Sequence, residues 1–269
     1  MSFPQNFETQ KNKKRSLVEI FTRKAHTLIS IAHSGVLVWQ DGIDPRSLTH
    51  FERLRYLDLR PALNYKRGIV VYDIGAHLGE FASLLVKIQA VSDIYCFEPI
   101  PNVFVKLVEK TQTFNKINCF PVALGNQSGI QRMNVNDFSA SSSMLTIGPV
   151  HIAEHPFAKN THEEEVQMMT LQEAVQRYKI PPPDFIKIDV QGYEDRVIRG
   201  GADIVNKAKF CMLELSLIDL YEKGVLITDM NSLMRGLGFR LVSIVGTIVG
   251  KSGEILQIDG LYRNERHEI

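Results

Sequence analysis

VYDIGAHLGEF, residues 71–81, carries an apolar run into an apolar helix pattern and places Asp73, Gly75 and Gly79 at the junction. A turn that only joins two elements needs one glycine at most. Two glycines four apart point to something lying close against the backbone. Gly75 gives the sharp turn, and Gly79 lets the helix start close to that neighbour. In open α/β sheets this turn lies at the carboxyl end of the first strand, where ligands bind.

Outward from that junction, strand-like and helix-like segments alternate. Residues 68–74 form a β-branched run, and a helix is expected over 80–89. A strand follows over 93–97, a helix over 102–115 and a third strand over 117–124. After a polar, serine-rich interval come a helix over 170–178, a strand over 185–190, a helix over 194–206, a strand over 210–215 and a helix over 228–237. The last two strands, 240–249 and 255–262, leave no room for a crossover helix and predict an antiparallel hairpin turning at GKSG. The alternation predicts a mostly parallel sheet covered by helices on both faces, with one antiparallel edge.

The candidate ligand at the first turn follows from its charge. A dinucleotide is the obvious guest, but the GxGxxG fingerprint is absent, since Ala76, His77 and Leu78 follow Gly75. A pyrophosphate prefers bare amides at a helix N-terminus, whereas Asp73 puts a carboxylate beside the turn. A ligand with a cationic, hydrogen-bond-donating end fits better, and S-adenosylmethionine offers a sulfonium and an amino group. Glu98 closes the second strand in FEP, where an acid accepts ribose hydroxyls. The bland alternatives are a helix cap for Asp73 and a surface acid for Glu98. His77 stands over the ligand or faces solvent.

A second cluster lies in DFIKIDVQGYED. Lys187 and Asp189 alternate with apolar residues, so they share one face near the strand's carboxyl end. Opposite charges on a buried face should pair, because either alone is expensive to desolvate. Glu214, in CMLELS, repeats the design on the next strand. Asp189 and Glu214 are read as site residues, and Lys187 as either a site residue or their counter-ion.

The 269 residues, 44% of them hydrophobic, suit one large α/β domain, taken as residues 61–269, after an N-terminal helical extension over 1–60. The net charge of +1 disfavours nucleic acid as a partner. Three widely spaced cysteines, Cys96, Cys119 and Cys211, read as buried thiols of a cytoplasmic protein. In the extension, Lys11, Lys13, Lys14, Arg15, Arg23 and Lys24 face only Glu8 and Glu19. Residues 25–40 then lack any charged side chain. Leu17, Phe21, Ala25, Leu28 and Ala32 recur at helical spacing. This helix is expected to pack on the domain or on a partner helix, which allows a homo-oligomer. Contact with an anionic membrane surface is the alternative. His151, His155, His162 and Glu163–Glu165 read as a solvated polar loop, and no metal site is expected.

The combination DIGAHLG, FEP, PVALG, SASSSM, TLQEA, FIKIDVQGYE, IRGGADI and MLELS resembles the FkbM family of S-adenosylmethionine-dependent methyltransferases, across residues 68–262. The resemblance implies a class I methyltransferase (Rossmann-like) fold, with seven strands and the last inserted antiparallel. It also implies methyl transfer to a hydroxyl of a sugar or natural product, hence a small-molecule or glycan acceptor. By position it puts Asp73, Gly75, Ala76, Gly79 and Ala123 around the cofactor, Glu98 on the ribose and Asp189 beside the methyl group. The family's DVEG reads DVQG here, so Gln191 removes a carboxylate from the acceptor side. A hydroxyl acceptor benefits from a general base. Asp189 is the first candidate, with Glu214 and His77 as alternates. The competing readings are a non-catalytic scaffold with this fold and a nicotinamide-dependent oxidoreductase.

Overall fold

The computed structural model describes residues 28–137 and 139–267. The chain divides into two compact units at Leu57 and Asp58. In the first, residues 28–40 are helical. Helix α1 (His50–Leu63) starts there and runs across the boundary. Thr49 and Glu52 cap its start reciprocally: Glu52 N–H donates to Thr49 Oγ1 at 3.2 Å, and Thr49 N–H to Glu52 Oε2 at 2.7 Å. Most of the amphipathic helix expected from Leu17 to Ala32 lies outside the described residues. Its last two apolar positions, Leu28 and Ala32, are exposed rather than packed.

Among the described residues the second unit contains ten strands: β1 (Ile69–Ile74), β2 (Val91–Phe97), β3 (Ile117–Phe120), β4 (Ala123–Gly125), β5 (Gly129–Asn136), β6 (Thr161–Thr170), β7 (Phe185–Ile188), β8 (Phe210–Ser216), β9 (Phe239–Val249) and β10 (Ile255–Asn264). Seven form one sheet in the order β3-β2-β1-β7-β8-β10-β9. All neighbours in it are parallel except β10, which runs antiparallel to both β8 and β9. The chain runs outward from β1 to β3 and then returns to place β7 on the other side of β1. That reversal opens a crevice at the carboxyl ends of β1 and β7.

Apolar strands with both faces covered explain the stability of this layer. Tyr72, Ile74, Phe97, Ile186, Ile188 and Leu213 are all enclosed in one core. Full burial of such a side chain is worth roughly 1.5–3 kcal/mol. The hairpin turns at residues 250–253 as expected, closed by Gly250 N–H on Glu254 O at 2.8 Å.

Three expectations fail for identifiable reasons. The strand expected over 117–124 breaks at Pro121, which has no N–H to donate. β3 stays in the main sheet, while β4 joins a second sheet in the order β4-β6-β5. The serine-rich interval is therefore no loop, since β5 and β6 lie within it. Met133 and Val135, Val166 and Met168 supply its small core. The helix expected over 194–206 splits into Glu194–Arg199 and Ala202–Val205. A side chain at Gly200 would meet Gly125 O at 1.9 Å, and one at Gly201 would meet Leu171 Cβ at 2.5 Å. The cysteines are free, with Cys96 and Cys211 buried and Cys119 only partly so.

Candidate active site

Asp73 and Lys187 face each other in register across β1 and β7. Lys187 Nζ lies 3.2 Å from Asp73 Oδ1 and 3.4 Å from Asp189 Oδ2, and it donates to Gly75 O at 2.8 Å. One ammonium thus ties the end of β1, the glycine turn and the residue after β7. Burial alone would lower the lysine's pKa, but Asp73 and Asp189 outweigh it and hold the ammonium protonated. Burial raises the Asp73 carboxyl, with Lys187 opposing. The sequence paired Lys187 with Asp189. The structure adds the closer partner, Asp73, which is fully enclosed and has no aligned hydrogen-bond donor on either oxygen.

The glycines owe their identity to the protein's own backbone and side chains. Gly75 has φ +76°, and a Cβ there would lie 1.9 Å from the Asp189 carbonyl oxygen. Gly79 has φ +75°, and its Cβ would meet Leu107 Cδ1 at 2.7 Å. The object pressed against this turn is therefore the chain after β7 on one side and the helix Pro101–Thr111 on the other. Gly75 and Ala76 N–H both donate to Phe97 O, which fixes the turn against β2. Ala76 and Ala123 are buried.

Glu98 is 4% exposed and shapes the same turn. Its Oε2 accepts from His77 N–H at 3.0 Å and its Oε1 from Ile100 N–H at 2.9 Å. Burial pushes its pKa up to about 7 against those two donors. His77, in the left-handed region at φ +50°, brings Nε2 within 2.7 Å of Ser139 Oγ. Its pKa is lowered by burial, with Glu80 opposing.

The serine cluster is the element whose position the sequence left open. Ser143 Oγ donates to Gln191 O at 2.7 Å, and Asn136 N–H to Ser142 Oγ at 2.9 Å. Further along the insertion, Gly148 N–H donates to Leu220 O at 2.8 Å and Glu222 N–H to Thr146 O at 2.9 Å. Residues 139–148 are thus laced to the loops after β1, β7 and β8. His151, expected in a solvated loop, is instead buried, its ring tilted against Tyr221 and His155 at 5.1 and 5.2 Å between centroids, and burial lowers its pKa to about 4. His162 sits on β6 beside Glu164.

Gln191 and Tyr221 complete the crevice. The amide of Gln191 donates to Asp189 Oδ1 at 3.0 Å and to Glu214 Oε2 at 2.9 Å, and Tyr221 O–H donates to its carbonyl oxygen at 2.5 Å. Burial, then Asp189, raises the Glu214 carboxyl well above the usual carboxylate range. Tyr221 was missed from sequence. An isolated tyrosine in a loop carries no spacing signal.

A parallel sheet with one antiparallel insertion, a glycine turn after its first strand and acids at the ends of its central strands define a class I methyltransferase domain. The FkbM methyltransferase domain model matches residues 73–241, and the chain belongs to that family. It is 24% identical over 159 residues to the 2-O-methyltransferase NoeI of Sinorhizobium fredii, covering 57% of this chain and 65% of that protein. It is also 24% identical over 148 residues to the hexuronic acid methyltransferase AglP of Haloferax volcanii, covering 54% and 55%. The chain thus spans less than two thirds of the length of these curated relatives. The crystal structure of an FkbM methyltransferase from Methylobacillus flagellatus is similar at 16% identity and a TM-score of 0.47, covering 78% of this chain and 47% of that one. Among the described residues no helix is long and apolar enough to cross a membrane.

Proposed function

We propose that this chain is an S-adenosylmethionine-dependent O-methyltransferase acting on a hydroxyl of a sugar or natural-product acceptor. The observation that carries it is the buried Asp73–Lys187–Asp189 row beside the glycine turn, in a chain of the FkbM family. The residues fit the cofactor. Asp73 has the Lys187 ammonium 3.2 Å from Oδ1 and no aligned hydrogen-bond donor on either oxygen, beside the turn where a cationic ligand end is expected. Glu98 keeps a lone pair on each oxygen beyond its two backbone donors, as a pair of ribose hydroxyls requires. When bound, S-adenosylmethionine supplies a methyl group already activated by its sulfonium. Gly75 and Gly79 shape the turn by letting the protein's own chain and Leu107 pack against it. Ala76 and Ala123 line the same region, and Asp189, a third exposed, takes the proton of the acceptor hydroxyl. His77 and Ser139 form the opposite wall.

The charge of the crevice bears on the acceptor. Lys187, the ammonium of this crevice, is already paired with Asp73 and Asp189, so a neutral hydroxyl-bearing acceptor is favoured over a phosphorylated or acidic one. Titration calorimetry tests the cofactor. S-adenosylmethionine and its demethylated product should bind and NAD should not. Glu98→Ala should weaken binding by roughly 1.5–3 kcal/mol, whereas Asp189→Asn should spare affinity and lower turnover about 10²-fold. Binding of NAD alone would defeat the reading.

The first unit has its own expected partner. Leu28, Ile29, Val36 and Trp39 are all exposed on the uncharged helical stretch 28–40. With the basic residues between 11 and 24, this face suits an anionic membrane surface. Vesicles containing anionic lipid should sediment the protein, and neutral vesicles should not. Equal behaviour with both would remove the assignment.

A further inference from the structure

We infer that Gln191 is a positioning residue that fixes Asp189 and Glu214 by giving one amide hydrogen to each, with Tyr221 setting which way the amide points. The inference rests on the reading of this crevice as the methyl-transfer site, and it concerns how the two carboxylates are kept in place. A primary amide has two N–H donors and one carbonyl acceptor. At Gln191 all are used: Asp189 Oδ1 at 3.0 Å, Glu214 Oε2 at 2.9 Å, and Tyr221 O–H at 2.5 Å. A flipped amide would turn its oxygen toward Asp189 and take the acceptor away from the Tyr221 O–H, so the orientation shown is the one that satisfies both of these neighbours.

The backbone is held as firmly as the side chain. Gln191 sits at φ +56°, a conformation that costs a non-glycine residue of order 1–3 kcal/mol unless its surroundings impose it. Two neighbours impose it. Ser143 Oγ donates to Gln191 O, and Glu194 Oε1 accepts from both Val190 and Gly192 N–H, at 2.9 and 3.2 Å. The insertion and the turn after β7 therefore clamp residue 191 from both sides. A glutamate would fit the same volume but has no donor unless it carries a proton. It would also place a third carboxyl group between two others. Glutamine is the residue that bonds both acids without taking a proton from the site.

Stability against pH separates this role from simple packing. The charged and titratable groups around the amide are Asp189 on the β7 side, Glu214 on β8, Asp259 facing it on β10, Glu194 on the following helix, and Lys187 with Asp73 behind Asp189. His77 approaches from the glycine turn, Tyr221 from the loop after β8, and His151 from the helix Pro149–Glu154. All of these are present in the parent protein too, so the difference between variant and parent reports residue 191 together with the shift it causes in Asp189 and Glu214.

In Gln191→Glu the new carboxyl is disfavoured as an anion, so its folded-state pKa lies above its unfolded value. The folded state then holds the proton more tightly, and relative stability is lost as pH rises from about 4.3. Melting temperatures from pH 5 to pH 8 should show Gln191→Glu close to the parent at pH 5 and about 3 °C or more below it at pH 8. Gln191→Asn is neutral but too short to bridge, so Asp189 and Glu214 lose a donor to their ionised forms, and its drop should also deepen as pH rises, by less than that of Gln191→Glu. A Gln191→Glu deficit equal at pH 5 and pH 8, or absent at both, overturns the inference. Calorimetry of the parent with S-adenosylmethionine runs alongside: failure to bind removes the cofactor reading, while the melting profiles still decide the role of Gln191.

Discussion

The two walls of the crevice are built on opposite plans. On one side, β1, β2 and β7 bring Asp73, Glu98 and Lys187 together inside the sheet, nearly inaccessible to water and held by strand register. On the other, residues 139–148 reach the same crevice through single hydrogen bonds from serine hydroxyls and loop amides. Removing a group from the first wall strands a buried charge. Removing one from the second breaks a hydrogen bond between neutral groups, which costs less than a stranded charge although Ser141, Ser142 and Ser143 are themselves buried. The first wall is therefore a rigid floor, and the second is the part that sequence change can remodel at low cost.

Lys187→Met offers the strongest test of this contrast. It leaves Asp73 and Asp189 without their cation, and breaking a buried pair in this way typically costs 3–5 kcal/mol. Thermal denaturation should show a drop of about 6 °C or more. A loss below about 1 kcal/mol would mean that the floor is as replaceable as the insertion.

Glu194→Gln probes the turn that joins the two walls. Glu194 is buried, accepts from Val190 and Gly192 N–H, and its pKa is pushed up to about 7 by burial. A raised carboxyl pKa favours the folded state at low pH, and that advantage is lost as pH climbs from the unfolded value to about 7. Glutamine keeps the acceptor and removes the charge. The variant should therefore gain on the parent between pH 5 and pH 8, by a few degrees in melting temperature. A difference that stays constant with pH would show that the carboxylate is ionised at no cost.

The smallest effect belongs to the insertion. Ser139→Ala removes the partner of His77 Nε2, and a half-buried hydrogen bond of this kind contributes about 0.5–1.5 kcal/mol. The melting temperature should fall by no more than about 3 °C, with cofactor affinity changed less than tenfold. A larger loss would place Ser139 in the rigid part of the site.

Legibility followed the same division. The strands of the floor were readable because both faces are buried, which writes continuous apolar runs such as residues 69–74 and 185–188. Acids at their ends stand out against such runs. β5 and β6 escaped notice because each has one face in water. Glu163, Glu165 and Gln167 dilute β6, although the alternation of Met133 and Val135 in β5 carries a period of two. The glycines were noticed for a reason that the structure changed. Their close neighbours are the Asp189 carbonyl for Gly75 and Leu107 for Gly79, which lie 114 and 28 residues further along the chain.

By itself the sequence determined the strand–helix alternation, the terminal hairpin, the glycine turn and the roster of ionisable groups, because local patterning and burial govern all of these. Only the tertiary structure decided which groups meet. Lys187 turns toward Asp73 as well as Asp189, Glu98 spends its carboxylate on the His77 and Ile100 amides, and Gln191 bridges Asp189, Glu214 and Tyr221. Such pairings join residues that are distant along the chain. They are set by strand register and by the folding-over of the insertion, and neither leaves a periodic trace in the sequence.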